Sequence, residues 1–361
     1  MMKMSHTISG RDNNFNLIRF LAASCVILTH SVLITGGEDI TEPLGELTGF
    51  TLGDHAVNVF FVVSGFLVAK SLLTKRDLAA YGAARFLRIV PGLFVMGGLS
   101  AFVMGLALTS LSLGAYFSSL ASWSYAPLIG SLFTDPLSLT LPGVFASNPF
   151  PDMVNGPLWT LRYEAIAYIA LVVAVAVGIY ANPRRFGGFL ALFVVLFVAY
   201  SFWNPMPETR SSLDHLLRFF MAFGLGSAFF VLREHIALKA HILIGLFFLT
   251  ILAFPTPLYH AMLLVFTAYA TFWLAFVPKG FIRRFNMLGD YSYGLYIYGW
   301  PVAQSMIFLF PEFSAPALFA AGYAATLLLA MASWHGVEKP ALARRRALAT
   351  LLRSGKKPQI A

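Results

Sequence analysis

The chain alternates between apolar runs of about 20 residues and short segments that carry charges, proline or glycine. A run of that length can cross the hydrocarbon core of a bilayer as a helix. The pattern therefore predicts an all-α, polytopic membrane protein with about ten transmembrane helices. We place them at residues 15–35, 55–73, 89–111, 158–180, 187–203, 213–232, 240–254, 258–278, 288–310 and 316–334. The stretch 112–133 could add a re-entrant or interfacial helix.

Composition strengthens this interpretation. Of the 361 residues, 58% are hydrophobic and 11% charged, with a mean hydropathy of +0.75. Soluble domains carry about 25% charged residues, so an ordinary soluble protein is excluded. The single cysteine, Cys25, excludes a disulfide framework within one chain. No small-residue cleavage site is obvious after the first run, so we expect a retained helix and not a signal peptide.

The charges predict the orientation. If the N-terminus is cytoplasmic, most of the 25 lysines and arginines fall on the cytoplasmic side, whereas the opposite loops are acidic. We therefore expect both termini in the cytoplasm and a multi-pass membrane protein. Loop charge of this kind explains the net charge of +9, and we expect no nucleic-acid partner. We assign residues 1–346 to the membrane domain and 347–361 to a basic cytoplasmic tail.

One outer segment, residues 112–157, is long and contains no lysine or arginine. Long loops in compact proteins are often functional. Its aromatic residues Tyr116, Trp123 and Tyr125 could stack on a sugar or could anchor the segment at the membrane interface. The sequence leaves both possibilities open.

Among the ionisable residues inside the predicted helices, four stand out by their depth: Arg19, His30, Arg162 and Glu164. Such groups cost a few kcal/mol at membrane depth, so they indicate function. Arg19 and His30 are eleven residues apart, which places them on one helix face with about 16 Å of rise between them. The helix that carries Glu164 is predicted to enter the membrane from the outside, which places Glu164 at a depth similar to that of His30. The two side chains could therefore meet. The alternatives are a histidine that only packs and an arginine that snorkels to the interface.

Six short sequence motifs occur in order along the chain: "NFNLIRFLAASCVILTH", "VNVFFVVSGFLVAKSL", "RFLRIVP", "NGPLWTLRYEAIAY", "LGDYSYGLYIYGWPV" and "VEKPALARR". Together they resemble the bacterial membrane acyltransferase-3 family, over Asn14 to about Arg346. Members of that family are integral membrane O-acyltransferases that modify sugars of surface or secreted polysaccharides. The resemblance implies an essential His30, spaced from Arg19 as in the family. It also implies an Arg-x-x-Arg pair, Arg85 and Arg88, at the cytoplasmic start of the third helix.

Two further positions qualify the resemblance. In the ninth-helix motif, "LGDYSYGLYIYGWPV", the family often has a histidine two residues before the proline. This chain has Gly299 at that position, so a second catalytic histidine there is excluded. Ser64, in "VVSGFL", indicates close helix packing through small residues and is an unlikely nucleophile.

These observations predict transfer of an acyl group, most often acetyl in the family, from cytoplasmic acyl-CoA to a carbohydrate hydroxyl. His30 would act as general base or form an acyl-imidazole, and Glu164 would orient its ring. Acyl-CoA is expected as co-substrate, with no bound cofactor and no metal. The predicted residues are His30 and Glu164 for catalysis, Arg19, Arg85 and Arg88 for acyl-CoA, and Arg162, Trp159 and Asp54 for the acceptor. The alternative function is a transporter or flippase of a lipid-linked sugar, although no internal repeat is evident.

Overall fold

A computed structural model describes residues 12–37, 42–132, 139–204 and 210–354, and these ranges contain helices but no β-strand. The helices, in chain order, are α1 (Phe15–Gly36), α2 (Pro43–Thr48), α3 (Leu52–Lys75), α4 (Leu78–Leu99), α5 (Leu113–Ser118), α6 (Leu120–Ser131), α7 (Trp159–Ala176), α8 (Pro183–Trp203), α9 (Ser212–Val231), α10 (Ala240–Ala253), α11 (Tyr259–Phe276), α12 (Ser292–Leu309), α13 (Ala315–Ser333), α14 (Lys339–Ala343) and α15 (Arg345–Ser354).

A helix occupies each of the ten predicted positions, which confirms an all-α polytopic membrane protein. Within the described ranges, eight helical segments are long and apolar enough to cross a membrane. The short helix α10 and the helix α12 are not among them. The exact number of spans and the side of each terminus remain predictions, and residues 355–361 of the predicted tail lie outside the described ranges.

The largest difference from the predicted boundaries concerns the third helix. It was expected to begin at residue 89, but α4 begins at Leu78 and continues through a wider turn to Leu108. The Asp77 side chain caps it by accepting from the backbone N–H of Ala80 at 3.0 Å, and this bond is the largest cause lowering the pKa of Asp77. The alanine-rich stretch before residue 89 favours helix, so its charges interrupt the apolar run but not the helix.

The possible additional helix in 112–133 is present as α5 and α6, and its re-entrant or interfacial placement stays a prediction. Gly97 of α4 allows α6 to pack closely, because a Cβ at Gly97 would lie 2.9 Å from the Cα of Ala126. This segment therefore packs tightly against a transmembrane helix.

The chain divides into two compact units. The first comprises Met1–Ala22, Asp54–Thr74 and Tyr163–Leu288, and the second comprises Ala23–Gly53, Lys75–Arg162 and Gly289–Ala361.

In the first unit, α3 and α9 come into backbone contact. A Cβ on Gly65 would lie 2.0 Å from the carbonyl oxygen of Phe223, and one on Gly226 would lie 2.0 Å from that of Val62. Ser227 donates a hydrogen bond to the Gly65 carbonyl at 3.2 Å. The close packing predicted from "VVSGFL" is therefore confirmed.

In the second unit, α12 packs against α13 and against the second half of α1. A Cβ on Gly294 would lie 2.6 Å from the Cα of Ala330 on α13, so these helices also pack at close range. Near the other end of α12, one buried apolar cluster contains Ile34 of α1, Trp300, Ala303 and Ile307 of α12 and Leu318 of α13. This cluster lies next to the His30 turn of α1.

Candidate active site

His30 lies in the second half of α1, which is helical without interruption from Phe15 to Gly36. The side chain is partly buried, and its ring contacts the indole of Trp300 edge-on, with centroids 5.0 Å apart and planes at 78°. Among the described residues, no hydrogen bond to its imidazole nitrogens is found. The indole therefore restrains the ring while its nitrogens keep their hydrogen-bonding capacity for another molecule.

Trp300 is itself held in place by the segment 148–155, which precedes α7. Its indole N–H donates to the Met153 carbonyl at 3.0 Å, and its ring meets Phe150 edge-on at 5.3 Å. The fully buried Gln304, one turn later on α12, donates to the carbonyls of Phe150 at 2.7 Å and Met153 at 3.1 Å. Segment 148–155 thus fixes the aromatic partner of His30 through backbone carbonyls, which the sequence pattern did not reveal.

Asn155 attaches the same segment to α12 where a proline interrupts the backbone hydrogen bonds of the helix. Pro301 lies inside the helix and has no N–H, so the carbonyl of Ile297 lacks its intrahelical donor. The buried Asn155 side chain supplies that donor, with Nδ2 at 2.9 Å from the Ile297 oxygen. The proline and the asparagine are therefore structurally complementary.

Gly299, which occupies the position of the family's second histidine, has a packing role. A Cβ there would lie 2.9 Å from Cγ1 of Ile27, a residue one helical turn before His30. The absence of a side chain lets α12 approach the His30 turn of α1 closely.

Glu42 holds the same turn through the residue before His30. Its buried carboxylate accepts from the Thr29 hydroxyl at 2.7 Å and from the Leu52 backbone N–H at 3.1 Å. Thr29 in turn accepts from the backbone N–H of Gly53 at 2.8 Å. The charge pattern predicts only an acidic outer loop here, but in the structure Glu42 ties the residue before His30 to the start of α3.

Glu164, the other predicted catalytic residue, lies in the first unit. Its carboxylate accepts from the Ser64 hydroxyl at 3.2 Å and from the Tyr168 hydroxyl. The predicted pairing of Glu164 with His30 stays a prediction. Ser64 donates a hydrogen bond here, which agrees with the expectation that it is an unlikely nucleophile.

Asp54, predicted to bind the acceptor, belongs to an ion-pair group in the first unit. Its carboxylate lies 2.8 Å from Arg218 and 3.4 Å from Arg210. The buried Arg218 also donates to Asn58 at 2.8 Å and to the Asp54 carbonyl at 3.1 Å, so it joins α3 to α9. This carboxylate already has two cationic partners, and contact with a sugar would have to share them.

Arg88, predicted to bind acyl-CoA, is paired with two carboxylates in the second unit. Its guanidinium lies 2.8 Å from Asp290 and 3.4 Å from Glu338, and it stacks over the Tyr293 ring at 5.3 Å. Glu338 is 1% exposed, so the arginine neutralises a buried acid. Arg85 lies one turn earlier and is partly buried. In this arrangement Arg88 joins α4 to α12 and to the turn after α13.

The other predicted residues have these positions. Arg19 is partly buried in the second turn of α1, Trp159 begins α7, and Arg162 follows within the first turn of α7. In the described ranges no three His, Cys, Asp or Glu side chains converge as a metal site requires.

The aromatic residues of the outer segment differ from one another in exposure. Tyr116 and Tyr125 are fully buried, and Tyr116 donates to the Ala101 carbonyl at 2.8 Å. The expectation that they could stack on a sugar is therefore wrong for these two rings, because both are buried inside the protein. Trp123 is exposed beside Phe102, as an interface anchor would be.

Comparisons with known proteins agree with the resemblance. A family model of the acyltransferase-3 family, described as an acyltransferase domain, matches residues 12–335. An "O-acetyl transferase" of Shigella phage Sf6 is 28% identical over 360 residues, which cover 92% of this chain and 97% of that protein. "Nodulation protein 10" of Rhizobium leguminosarum bv. viciae is 32% identical over 171 residues, covering 45% of this chain and 44% of that protein. No solved structure gives a significant match. The family match spans His30 and the elements that surround it, and the chain belongs to the acyltransferase-3 family of membrane proteins.

Proposed function

We propose that this protein is an O-acetyltransferase of the bacterial inner membrane, which moves the acetyl group of cytoplasmic acetyl-CoA to a hydroxyl of an exported polysaccharide or its lipid-linked precursor. The observation that carries the proposal is His30, an intramembrane histidine restrained by Trp300 and with no protein hydrogen bond among the described residues. The similarity to the phage O-acetyl transferase supports the acyl group and the reaction.

In the proposed reaction, His30 removes the proton of the acceptor hydroxyl as its oxygen attacks the thioester carbonyl. The C–S bond breaks, and the proton passes to the departing CoA thiolate. In the two-step version, an imidazole nitrogen first attacks the thioester carbonyl and the CoA thiolate leaves. The sugar oxygen then attacks the acetyl-imidazole, the C–N bond breaks, and the hydroxyl proton passes to the released imidazole. Trp300 and the Glu42–Thr29 pair support either version, because they fix the turn and the ring of His30.

The donor would approach from the cytoplasmic side. Arg85 and Arg19 remain the proposed phosphate-binding residues, since arginine forks suit phosphate oxygens. For Arg88 we propose an indirect role, because its ion pairs with Asp290 and Glu338 hold α4, and with it Arg85, in place. Arg162, Trp159 and Asp54 remain proposed acceptor contacts.

The test uses purified protein in lipid nanodiscs with radiolabelled acetyl-CoA and a bacterial polysaccharide. We expect label in the polysaccharide with the unaltered protein and none with His30→Ala. His241→Ala is the matched control, because it removes an exposed histidine at the start of α10. Full activity of His30→Ala would refute the mechanism. Labelled protein trapped without acceptor would select the two-step version.

The competing function is a transporter or flippase of a lipid-linked sugar. The same nanodisc preparation, reconstituted into vesicles with a fluorescent lipid-linked sugar, separates the two functions. Translocation of the lipid without any label in the carbohydrate would favour the carrier.

A further inference from the structure

Segment 148–155 lies along the last two turns of α1. At one end of the segment, the Pro149 carbonyl lies next to Gly37, where an added Cβ would be 3.3 Å from its oxygen. At the other end, the Met153 carbonyl accepts from the indole whose ring contacts His30. Gly37 follows His30 by two helical turns, a rise of about 10 Å. The residues between these two contacts therefore lie between the end of α1 and the level of His30.

Asp152, in this part of the segment, is the centre of a tight three-residue turn. The Met153 N–H donates to the Pro151 carbonyl at 2.7 Å, and Asp152 has a φ of +57°. A turn of this kind with a positive φ is rare and strained. The Asp152 N–H donates to the Phe145 carbonyl at 3.3 Å, which holds the turn in this conformation. Strained backbone that the surrounding structure enforces in this way concentrates at functional sites.

The turn presents the carboxylate of Asp152 to the surroundings of the protein. The side chain is exposed, and its carboxylate makes no hydrogen bond or ion pair with any described residue. The outer segment 112–157 contains no lysine or arginine that could neutralise it. Within the described ranges Asp152 belongs to no group of three His, Cys, Asp or Glu side chains, so a metal ion is not the expected ligand. An ionised carboxylate has two acceptor oxygens, and neighbouring hydroxyls of a sugar are donors that match them.

We propose that Asp152 is an acceptor-binding residue, whose carboxylate accepts hydrogen bonds from the hydroxyls of a sugar beside the His30 site. The proposal rests on the proposed function, because it takes the acceptor to be a carbohydrate that arrives from the predicted outer end of α1. Asp152 and His30 belong to the same compact unit. The enforced turn gives the carboxylate a fixed position relative to His30, which orients the hydroxyl that is to be acetylated.

The experiment uses substitutions that separate the carboxylate from the turn. Asp152→Gly removes the carboxylate and adopts the positive φ without strain, and Asp152→Asn keeps the side-chain shape but replaces one acceptor oxygen with a donor. Glu312→Gln, which neutralises an exposed carboxylate between α12 and α13, is the matched control.

Each protein is immobilised in lipid nanodiscs. Biolayer interferometry measures the binding of three carbohydrates: an O-antigen polysaccharide, an exopolysaccharide and a glucan. The labelled-acetyl assay then gives KM for the carbohydrate that the unaltered protein binds most tightly and KM for acetyl-CoA. Melting temperatures check that every variant folds.

We expect both Asp152 variants to bind that carbohydrate about tenfold more weakly than the unaltered protein, by loss of charge-assisted hydrogen bonds. KM for the carbohydrate should rise to match, whereas KM for acetyl-CoA and the melting temperature should not change. The control should keep all of these values.

Two results overturn the proposal. The first is equal carbohydrate binding by Asp152→Gly and the unaltered protein, because glycine can replace a residue that serves only the turn. The second is an unaltered protein that binds none of the three carbohydrates. Failure of the proposed function gives a different result: carbohydrate binding that depends on Asp152, without transfer of label, would refute the reaction and support the binding site.

Discussion

The Glu42 carboxylate is the only described acceptor for the Thr29 hydroxyl, and both are buried. Glu42→Ala leaves that hydroxyl and the Leu52 N–H without their acceptor, so we expect a loss of about 2–4 kcal/mol in the free energy of unfolding. Transferase activity should fall as well, because Thr29 precedes His30. Denaturant unfolding in detergent and the labelled-acetyl assay check the two effects.

Two variants sharpen that prediction. Glu42→Gln keeps an acceptor oxygen and should recover part of the stability. Glu312→Ala removes an exposed carboxylate of another loop and should change stability by less than about 0.5 kcal/mol. Equal effects of Glu42→Ala and Glu312→Ala would show that the buried hydrogen bonds do not support the His30 turn.

Arg88 should act on stability more than on donor affinity. Arg88→Ala leaves the carboxylates of Asp290 and Glu338 without this cation, and breaking a buried pair costs about 3–5 kcal/mol. Adding Glu338→Gln removes one of the two charges and should restore part of the loss. Melting temperatures of the single and double variants measure this coupling. A single variant that melts normally but no longer binds CoA would instead support the direct phosphate contact.

The sequence could predict some of these residues because their chemistry conflicts with their surroundings. An arginine or histidine inside an apolar run is conspicuous, so Arg19 and His30 were identified. Glu42 was not, because a carboxylate in a polar loop looks solvated until the fold buries it. Trp300 and Gln304 were missed for the opposite reason, since an aromatic or amide side chain in an apolar helix gives no signal of its partner.

At the level of helices, the contact between α3 and α9 depends on two glycines. Gly65→Ala places a methyl group 2.0 Å from the Phe223 carbonyl oxygen, so the helices must separate. We expect a loss of more than about 2 kcal/mol, with lower expression and melting temperature. Gly187→Ala in α8 is the control, because nothing lies within 4 Å of the added carbon. Alanine at Gly187 should be neutral or slightly stabilising, and similar behaviour of the two variants would contradict the close packing.

The attachment of segment 148–155 to α12 predicts a specific coupling between Asn155 and Pro301. Asn155→Ala should cost about 1–3 kcal/mol, because it leaves the Ile297 carbonyl buried without a donor. In a Pro301→Ala background the new N–H can bond that carbonyl, so the same substitution should cost less. A double-mutant cycle from unfolding curves measures the difference. Pro127→Ala in α6 provides the control background, in which Asn155→Ala should cost as much as in the unaltered protein.

For the whole molecule, the alternation of apolar and polar segments was sufficient to predict all ten helical positions and the all-α class. It could not predict where α4 begins, because the positive charges of Arg85 and Arg88 mimic the end of a span. Nor could it predict how segment 148–155 packs, since its carbonyl contacts with Trp300 and Gln304 depend on backbone atoms that every residue shares.

The location of both termini in the cytoplasm is the remaining whole-molecule prediction. Eight described segments qualify as spans by length and hydropathy, and α10 and α12 are the two further candidates. If both cross the membrane, or neither does, the number of spans is even and the termini share a side. If only one crosses, the termini lie on opposite sides. The excess of lysine and arginine in the segments assigned to the cytoplasm favours the even number.

Reporter fusions decide between these arrangements. A fluorescent protein fused after Ala361 should fluoresce, and alkaline phosphatase at the same position should be inactive, because that enzyme needs the outer compartment to form its disulfides. Phosphatase fused to a chain truncated after Ser147 is the matched control and should be active, since the segment before α7 is predicted to lie outside. Active phosphatase after Ala361 would mean an odd number of spans.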